Sequence, residues 1–222
     1  MKAAPTLIAM TLLELAPSLE VALLRADATR ADLEKSCATA RELRLHGVIV
    51  SSARVALTRH LLEDSDVKIC CAIDFPLGAA DADVKRYETE VALDFGAHEI
   101  EVVLNHGHLR EGNTKALLRE LCDIVEAAAD LPVKVLADTT FAQPDAILTA
   151  AKLAVEADAK FFTLSCMFGT RAAPLELITS LRQALGPDFG LKVSATAATV
   201  AAATTLIGAG ANRLGLTTIP RE

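Results

Sequence analysis

Short runs of β-branched and apolar residues alternate along the chain with longer runs in which Ala, Leu and charged residues recur at helical spacing. Runs of the first kind favour strands buried on both faces, and runs of the second kind favour amphipathic helices. The predicted strands are Leu19–Leu24, Gly47–Ser51, Val67–Asp74, Glu99–Asn105, Pro132–Asp138, Lys160–Ser165, Gly190–Ser194 and Asn212–Leu216. The predicted helices between them are Ala31–Leu45, Ala82–Phe95, Thr114–Ala129, Asp145–Ala157 and Ala198–Gly210.

A strand followed by a helix, repeated this often, predicts a parallel sheet with right-handed crossovers. Eight such strands close most readily into a (β/α)8 TIM barrel, so we predict an α/β protein with a single barrel domain over residues 1–222. A doubly wound open sheet is the alternative, although no Gly-rich dinucleotide turn follows the first strand.

The chain ends six residues after the eighth predicted strand, which leaves little or no room for an eighth helix. We expect an N-terminal helix over Pro5–Leu15 to cover that gap. A subunit contact is the alternative, and it leaves a homodimer open.

Composition narrows the classes of function. With 52% hydrophobic residues, a chain of 222 residues can bury parallel strands under Ala-rich helices without a partner. The net charge of -7 argues against a nucleic-acid partner, which needs clustered Lys and Arg, but remains compatible with an anionic small molecule. The apolar segment Pro5–Leu15 is too short to span a bilayer and carries Glu14. We therefore expect no membrane anchor, no signal peptide and a cytoplasmic location.

The chain has five cysteines with mostly apolar neighbours: Cys37, Cys70, Cys71, Cys122 and Cys166. Their odd number and surroundings predict buried free thiols in a reducing compartment. The adjacent Cys70 and Cys71 would point to opposite faces of a strand, and no Cys/His spacing motif accompanies them. The sequence therefore predicts no metal site.

The segment Phe75-Pro76-Leu77-Gly78-Ala79, directly after the third predicted strand, resembles a loop of the deoxyribose-phosphate aldolases. Five further segments are similar to that family in the same order: residues 23–29, 98–105, 133–136, 192–194 and 213–215. This resemblance implies a barrel and a lyase that performs a class I aldol reaction on a small aldehyde or sugar phosphate. It implies no cofactor, because a lysine imine serves as the electron sink.

The resemblance also assigns roles to individual residues. The family uses an imine-forming lysine on the sixth strand, a second lysine that lowers the pKa of the first, and an acid that relays protons. Lys192 matches the second lysine. Glu101 matches the acid, and its side chain is one carbon longer than the family's Asp. Thr163 stands at the imine-forming position, and a hydroxyl cannot form an imine. The family's chemistry is therefore not carried over whole.

Further departures lie at the first two strands and at the barrel rim. Glu20 stands where the family has Asp, and Ile49 stands where it commonly has an active-site Cys. Cys166-Met167 stands where the family has Thr-Gly, and Ala195-Thr196 stands where it has Gly-Gly. The family's Gly-Gly pair lets backbone N–H groups approach a phosphate closely. Thr217-Thr218 keep hydroxyls where the family commonly has serines. The resemblance thus implies weakened phosphate binding.

Strand alternation predicts which side chains share the barrel lumen. If Thr163 faces inward, so do Phe161 and Ser165. The same alternation turns these residues inward: Glu99, Glu101, Val103, Lys134, Leu136, Asp138, Lys192 and Ser194. Because buried charges are costly unless paired, they form either a neutralising ion network or a working site. We expect Lys134, near the barrel floor, to be structural and Lys192, nearer the carboxyl ends of the strands, to be functional.

The candidate catalytic residues are Lys192, Glu101, Thr163 and Lys134, and the candidate substrate-binding residues are Glu20, Asp138, Ser165, Ser194, Thr217 and Thr218. His106 and His108 follow the fourth strand and are more typical of solvated loop residues than of proton carriers. Three functions stay open: altered or reduced aldolase chemistry with an imine on Lys192, an inactive family member that binds or regulates, and enolisation without an imine. Fold alone does not choose among them.

Overall fold

The computed structural model describes residues 10–166 and 174–221, and its eight parallel strands form one closed barrel. The strands are β1 Leu19–Leu23, β2 Gly47–Ser51, β3 Lys68–Ile73, β4 Glu99–Val103, β5 Val133–Asp138, β6 Phe161–Ser165, β7 Gly190–Ser194 and β8 Arg213–Leu216. Neighbours along the chain pair in order, and β8 pairs with β1 to close the barrel. The predicted (β/α)8 barrel is confirmed, and the open sheet is wrong.

Helices surround the barrel and separate its strands. Their bounds are α1 Leu12–Leu15, α2 Arg30–Leu43, α3 Val55–Leu61, α4 Ala82–Asp94, α5 His106–Glu111, α6 Thr114–Ala127, α7 Pro144–Glu156, α8 Leu175–Leu185 and α9 Val200–Gly208. The five helices predicted from periodicity correspond to α2, α4, α6, α7 and α9. Across the described ranges, no helix combines the length and apolar character needed to cross a membrane.

The N-terminal segment packs near the last helix of the barrel. Helix α1 begins with a capping box between Thr11 and Glu14, and the buried Leu15 belongs to the main core. Helix α1 contacts α9, the helix that precedes β8. Residues 5–9 of the predicted helix lie outside the described residues. Between β8 and Arg221 the described chain forms no further helix.

The strands bury both of their faces, as parallel strands in a barrel do. On β6, Phe162 and Leu164 belong to the core between barrel and helices, whereas Thr163 points into the lumen. A separate apolar cluster lies inside the lumen, where Ile49, Cys70 and Ala72 pack together. The alternation predicted from the sequence is therefore confirmed.

A buried lysine secures the loop after β3. Lys85 on α4 is fully buried, and its Nζ donates to the carbonyls of Gly78 (2.9 Å) and Val103 (3.0 Å) and to Glu120 Oε1 (2.7 Å). Gly78 has a φ of 66°, and a Cβ there would lie 2.4 Å from the carbonyl oxygen of Leu104. Only glycine fits this approach, so the loop is fixed against the carboxyl end of β4.

We expect Lys85→Met to lower the free energy of unfolding by about 3–5 kcal/mol, because Glu120 is left as a buried charge without its cation. Urea denaturation measures this change. Lys35→Met, at an exposed position of α2, is the matched control and should change stability by no more than about 0.5 kcal/mol. Equal effects of the two substitutions would contradict this role for Lys85.

Candidate active site

Six charged side chains meet in the lower part of the lumen. They are Glu20 on β1, Glu99 and Glu101 on β4, Lys134 on β5, Lys192 on β7 and Arg213 on β8. All are buried except Arg213, which is partly exposed. Three carboxylates face three cations in direct contact, so the charges of this ion cluster balance. Such pairing is required, because an unpaired charge in a barrel interior costs several kcal/mol.

Lys192 lies at the upper end of the ion cluster, held by two carboxylates. Its Nζ is 2.7 and 2.9 Å from the two oxygens of Glu101 and 2.6 Å from Glu20 Oε2. Thr163, its neighbour across β6 and β7, donates from Oγ1 to Glu101 Oε1 over 2.7 Å. Burial acts to lower the pKa of Lys192, but Glu101 and Glu20 outweigh it and raise that pKa above its ordinary value of 10.5. Lys192 is therefore an ammonium ion at neutral pH.

Lys134 lies lower in the ion cluster and joins β1 to β4. Its Nζ is 2.5 Å from both Glu20 Oε1 and Glu99 Oε2, and 3.6 Å from Cys70 Sγ. Burial acts to lower the pKa of Lys134, but Cys70 and the two carboxylates outweigh it and raise that pKa. This placement supports the structural role expected for Lys134.

Arg213 closes the floor of the lumen. Its Nη1 is 3.1 Å from Glu20 Oε1 and 3.2 Å from Glu99, and its guanidinium lies 4.6 Å from the centre of the Phe161 ring. A Cβ on Gly190 would lie 2.3 Å from Cδ1 of Phe161, so the ring occupies the space that a side chain there would need. The sequence analysis missed Arg213 as a member of the cluster. Only closure of β8 onto β1 brings it beside Glu20.

In the part of the chain that the structure describes, one cluster of three side chains has ligand atoms close enough together to bind a metal ion: Glu20, His46 and Glu99. His46 Nε2 already lies 2.9 Å from Glu99 Oε1. Lys134 and Arg213 contact both carboxylates, so their positive charges occupy the place a metal ion would take. The arrangement is an ion network in its own right.

Acid is expected to weaken the fold through Glu99. Burial acts to raise the pKa of Glu99, but its hydrogen bond with His46 and the charge of Lys134 lower it to about 2, from an ordinary 4.5. A depressed pKa contributes stability that is fully present above pH 4.5 and is lost as the pH falls towards 2. Urea midpoints measured at pH 5, 4, 3 and 2 should fall steadily through this window. A midpoint that stays constant would contradict the pairing of Glu99.

A cavity of about 260 Å³ opens above the ion cluster at the carboxyl ends of the strands. Its polar lining includes Glu101, Ser165, Ser194 and Thr217. Gly215 also lines it, and a Cβ there would lie 2.8 Å from Lys192 Cε and 3.4 Å from Lys192 Nζ. The ammonium group of Lys192 therefore lies directly beneath the cavity floor. Barrel enzymes place their active sites at this end.

The structure places the predicted substrate-binding residues in four different settings. Ser165, Ser194 and Thr217 line the cavity. Glu20 lies below it inside the ion cluster, and Thr218 is exposed outside the lining. Asp138 is fully buried and accepts a hydrogen bond from Ser165 Oγ over 2.5 Å, so it positions a rim hydroxyl.

Two details of the sequence analysis are corrected. His106 is not a solvated loop residue, because its Nε2 accepts from the backbone N–H of Asp138 and its ring packs against Phe141 at 5.3 Å. All five cysteines are free, as predicted, but Cys122 is exposed, because it lies on the outward face of α6. Met167 lies outside the described residues.

Known proteins resemble this chain over most of its length. A deoxyribose-phosphate aldolase from Exiguobacterium sibiricum is 39% identical over 204 residues, which cover 91% of this chain and 92% of that protein. One from Carboxydothermus hydrogenoformans is 37% identical over 206 residues, covering 91% and 90%. No protein-family model matches the chain.

Solved structures agree. The aldolase QR15 has a TM-score of 0.87 at 26% identity, covering 92% of this chain and 91% of its own. The tetrameric deoxyribose phosphate aldolase from Aeropyrum pernix has a TM-score of 0.85 at 26% identity, covering 93% and 88%. On sequence and fold together, the chain belongs to the deoxyribose-phosphate aldolase family.

Proposed function

We propose that the protein binds a small aldehyde or sugar phosphate in the cavity above the ion cluster and performs aldol or retro-aldol chemistry at a reduced rate. Lys192 is the amine that forms the imine. The observation that carries this proposal is the position of Lys192 Nζ, beneath Gly215 and against Glu101, both of which line the cavity. An amine, an acid and a ligand-sized space converge at this point.

The chemistry begins with a proton transfer. Lys192 gives a proton to Glu101, and the neutral amine adds to the carbonyl carbon to form a carbinolamine. Glu101 then returns the proton to the departing hydroxyl, so that water leaves and a protonated imine remains. In the retro-aldol direction the imine accepts the electron pair of the breaking carbon–carbon bond, while Glu101 takes the proton of the β-hydroxyl.

The first step accounts for the reduced rate that we propose. Lys134 repels the charge on Lys192 and acts to lower its pKa, but Glu101 and Glu20 outweigh that repulsion, so the balanced cluster keeps the proton on Lys192. The Thr163 hydroxyl donates to Glu101 Oε1 over 2.7 Å and so occupies one acceptor position of that carboxylate. The neutral amine is therefore a minor species at neutral pH.

Trapping with borohydride tests the proposal. The protein is incubated with acetaldehyde, reduced, digested and mapped by peptide mass spectrometry. We expect a slow adduct on Lys192, and the exposed Lys35 reports non-specific labelling within the same sample. Labelling of exposed lysines alone would contradict the proposal. If acetaldehyde or 2-deoxyribose 5-phosphate still raised the melting temperature, that result would favour an inactive binding member of the family.

We also propose a cytoplasmic location. It is supported by five cysteines that are all present as free thiols, four of them buried.

A further inference from the structure

We infer that the substrate is a small, unphosphorylated aldehyde with an apolar substituent, and not a sugar phosphate. This inference rests on the proposed function, because it concerns the cavity above Lys192. Four features carry it: the apolar wall of the cavity, the engagement of three backbone donors after β7, the engaged cations around the cavity, and its size.

The wall of the cavity is mostly apolar. Carbon side chains surround the space from β1, β2, the loop after β3, and β5: Ala22, Leu24, Ile49, Phe75 and Leu136. Four of the five belong to, or pack against, the apolar cluster inside the lumen. A hydroxylated sugar chain would lose water here without gaining hydrogen bonds from these side chains. An alkyl chain gains from the same burial.

Three backbone donors between the end of β7 and the first turn of α9 are already engaged. The N–H of Ala195 donates to the carbonyl of Gly215 over 3.2 Å, and the N–H of Val200, first in α9, donates to the carbonyl of Arg221 over 2.8 Å. Thr199 caps α9 and accepts from the N–H of Ala202. A phosphate binds at a helix N-terminus through free N–H groups. Here the N–H groups of Val200 and Ala202 are engaged by the protein's own backbone and by the Thr199 cap.

The cations around the cavity are also engaged. Within the described ranges, Arg25 is the cation that lines the cavity, and it pairs with Asp27 at 2.9 Å and Asp32 at 3.0 Å. Lys192 below is held by two carboxylates, one of which, Glu101, faces the cavity. A phosphate dianion would enter beside a carboxylate and find its countercharges already paired, which disfavours its binding.

The volume of the cavity fits a short-chain ligand. At about 260 Å³ it lies just below the roughly 300–1,000 Å³ of sites that hold drug-sized molecules. Ser165, Ser194 and Thr217 supply hydroxyls for a carbonyl or hydroxyl oxygen at the rim. The site thus offers a few polar contacts within an apolar wall.

Calorimetry with hexanal and with 2-deoxyribose 5-phosphate tests this inference. Both ligands are titrated into the wild-type protein and into the Lys192→Arg variant, which separates binding from imine formation. We expect hexanal to bind at least about 10-fold more tightly than the phosphate. Leu24→Ser, at a half-buried wall position, should weaken hexanal binding about 5-fold and leave the phosphate unchanged. Leu77→Ser is the matched control, because Leu77 is 71% exposed and lies outside the lining.

Equal or tighter binding of the phosphate would overturn the inference, as would hexanal binding that Leu24→Ser does not weaken. Failure of both ligands to bind would overturn it as well. The fate of the proposed function is read separately: a hexanal preference without a reducible adduct on Lys192 supports the substrate class and rejects the imine. An adduct on Lys192 combined with tighter binding of the phosphate supports the imine and rejects the proposed substrate class.

Discussion

Thr163→Lys is expected to raise the rate of acetaldehyde self-addition by at least about 100-fold over the wild-type protein. Thr163 is fully buried, and its hydroxyl already lies 2.7 Å from Glu101 Oε1, so an amine at this position enters the ion cluster. The added amine would be a fourth cation beside three carboxylates. Because two neighbouring ammonium ions repel each other, the pKa of one of them falls, and a neutral nucleophile becomes available at neutral pH.

Thr163→Met is the matched control for this gain. It adds a chain of similar length without an amine, so its rate should not rise. Melting temperatures of both variants show whether the larger side chain is tolerated. A folded Thr163→Lys protein with an unchanged rate would mean that charge balance in the lumen is not what limits the chemistry.

Lys192→Arg is expected to abolish the borohydride-trapped adduct and to reduce acetaldehyde self-addition to background. Arginine keeps the positive charge between Glu20 and Glu101, but its guanidinium stays protonated and does not form an imine. Lys192→Met removes the charge as well and should lower the free energy of unfolding by about 3–5 kcal/mol, because two buried carboxylates lose their partner. The arginine variant therefore separates the chemical role from the structural one.

Activity of Lys192→Arg equal to that of the wild-type protein would show that Lys192 only neutralises the lumen. Urea denaturation of the arginine and methionine variants provides the control for folding. The arginine variant should retain most of the stability that the methionine variant loses.

The barrel could be predicted from the sequence because each strand carries its own apolar run and each strand is followed by a helical pattern. The helices α3, α5 and α8 were not predicted. Helices α3 and α5 are seven and six residues long, too short to establish a clear period. Residue alternation also predicted the inward face of β6 correctly, because the side-chain period of a strand is two.

The balance of charges in the lumen could not be predicted from the sequence. Arg213 pairs with Glu20 across 193 positions of the chain, and His46 reaches Glu99 across 53. These contacts depend on how the barrel closes and on its register. The single domain over residues 1–222, the homodimer and the role of each candidate site residue stay predictions.

The protonation state of Lys192 is the most direct test of the balanced ion cluster. Lysine side chains labelled with ¹³C at Cε are followed by NMR from pH 6 to pH 11, and Lys192→Arg identifies the Lys192 signal by its loss. The balanced ion cluster predicts a shift typical of an ammonium group around neutral pH, with a pKa raised above the ordinary lysine value of 10.5. Titration of this signal near pH 7–8 would contradict the balanced ion cluster and, with it, the explanation of the reduced rate that we propose.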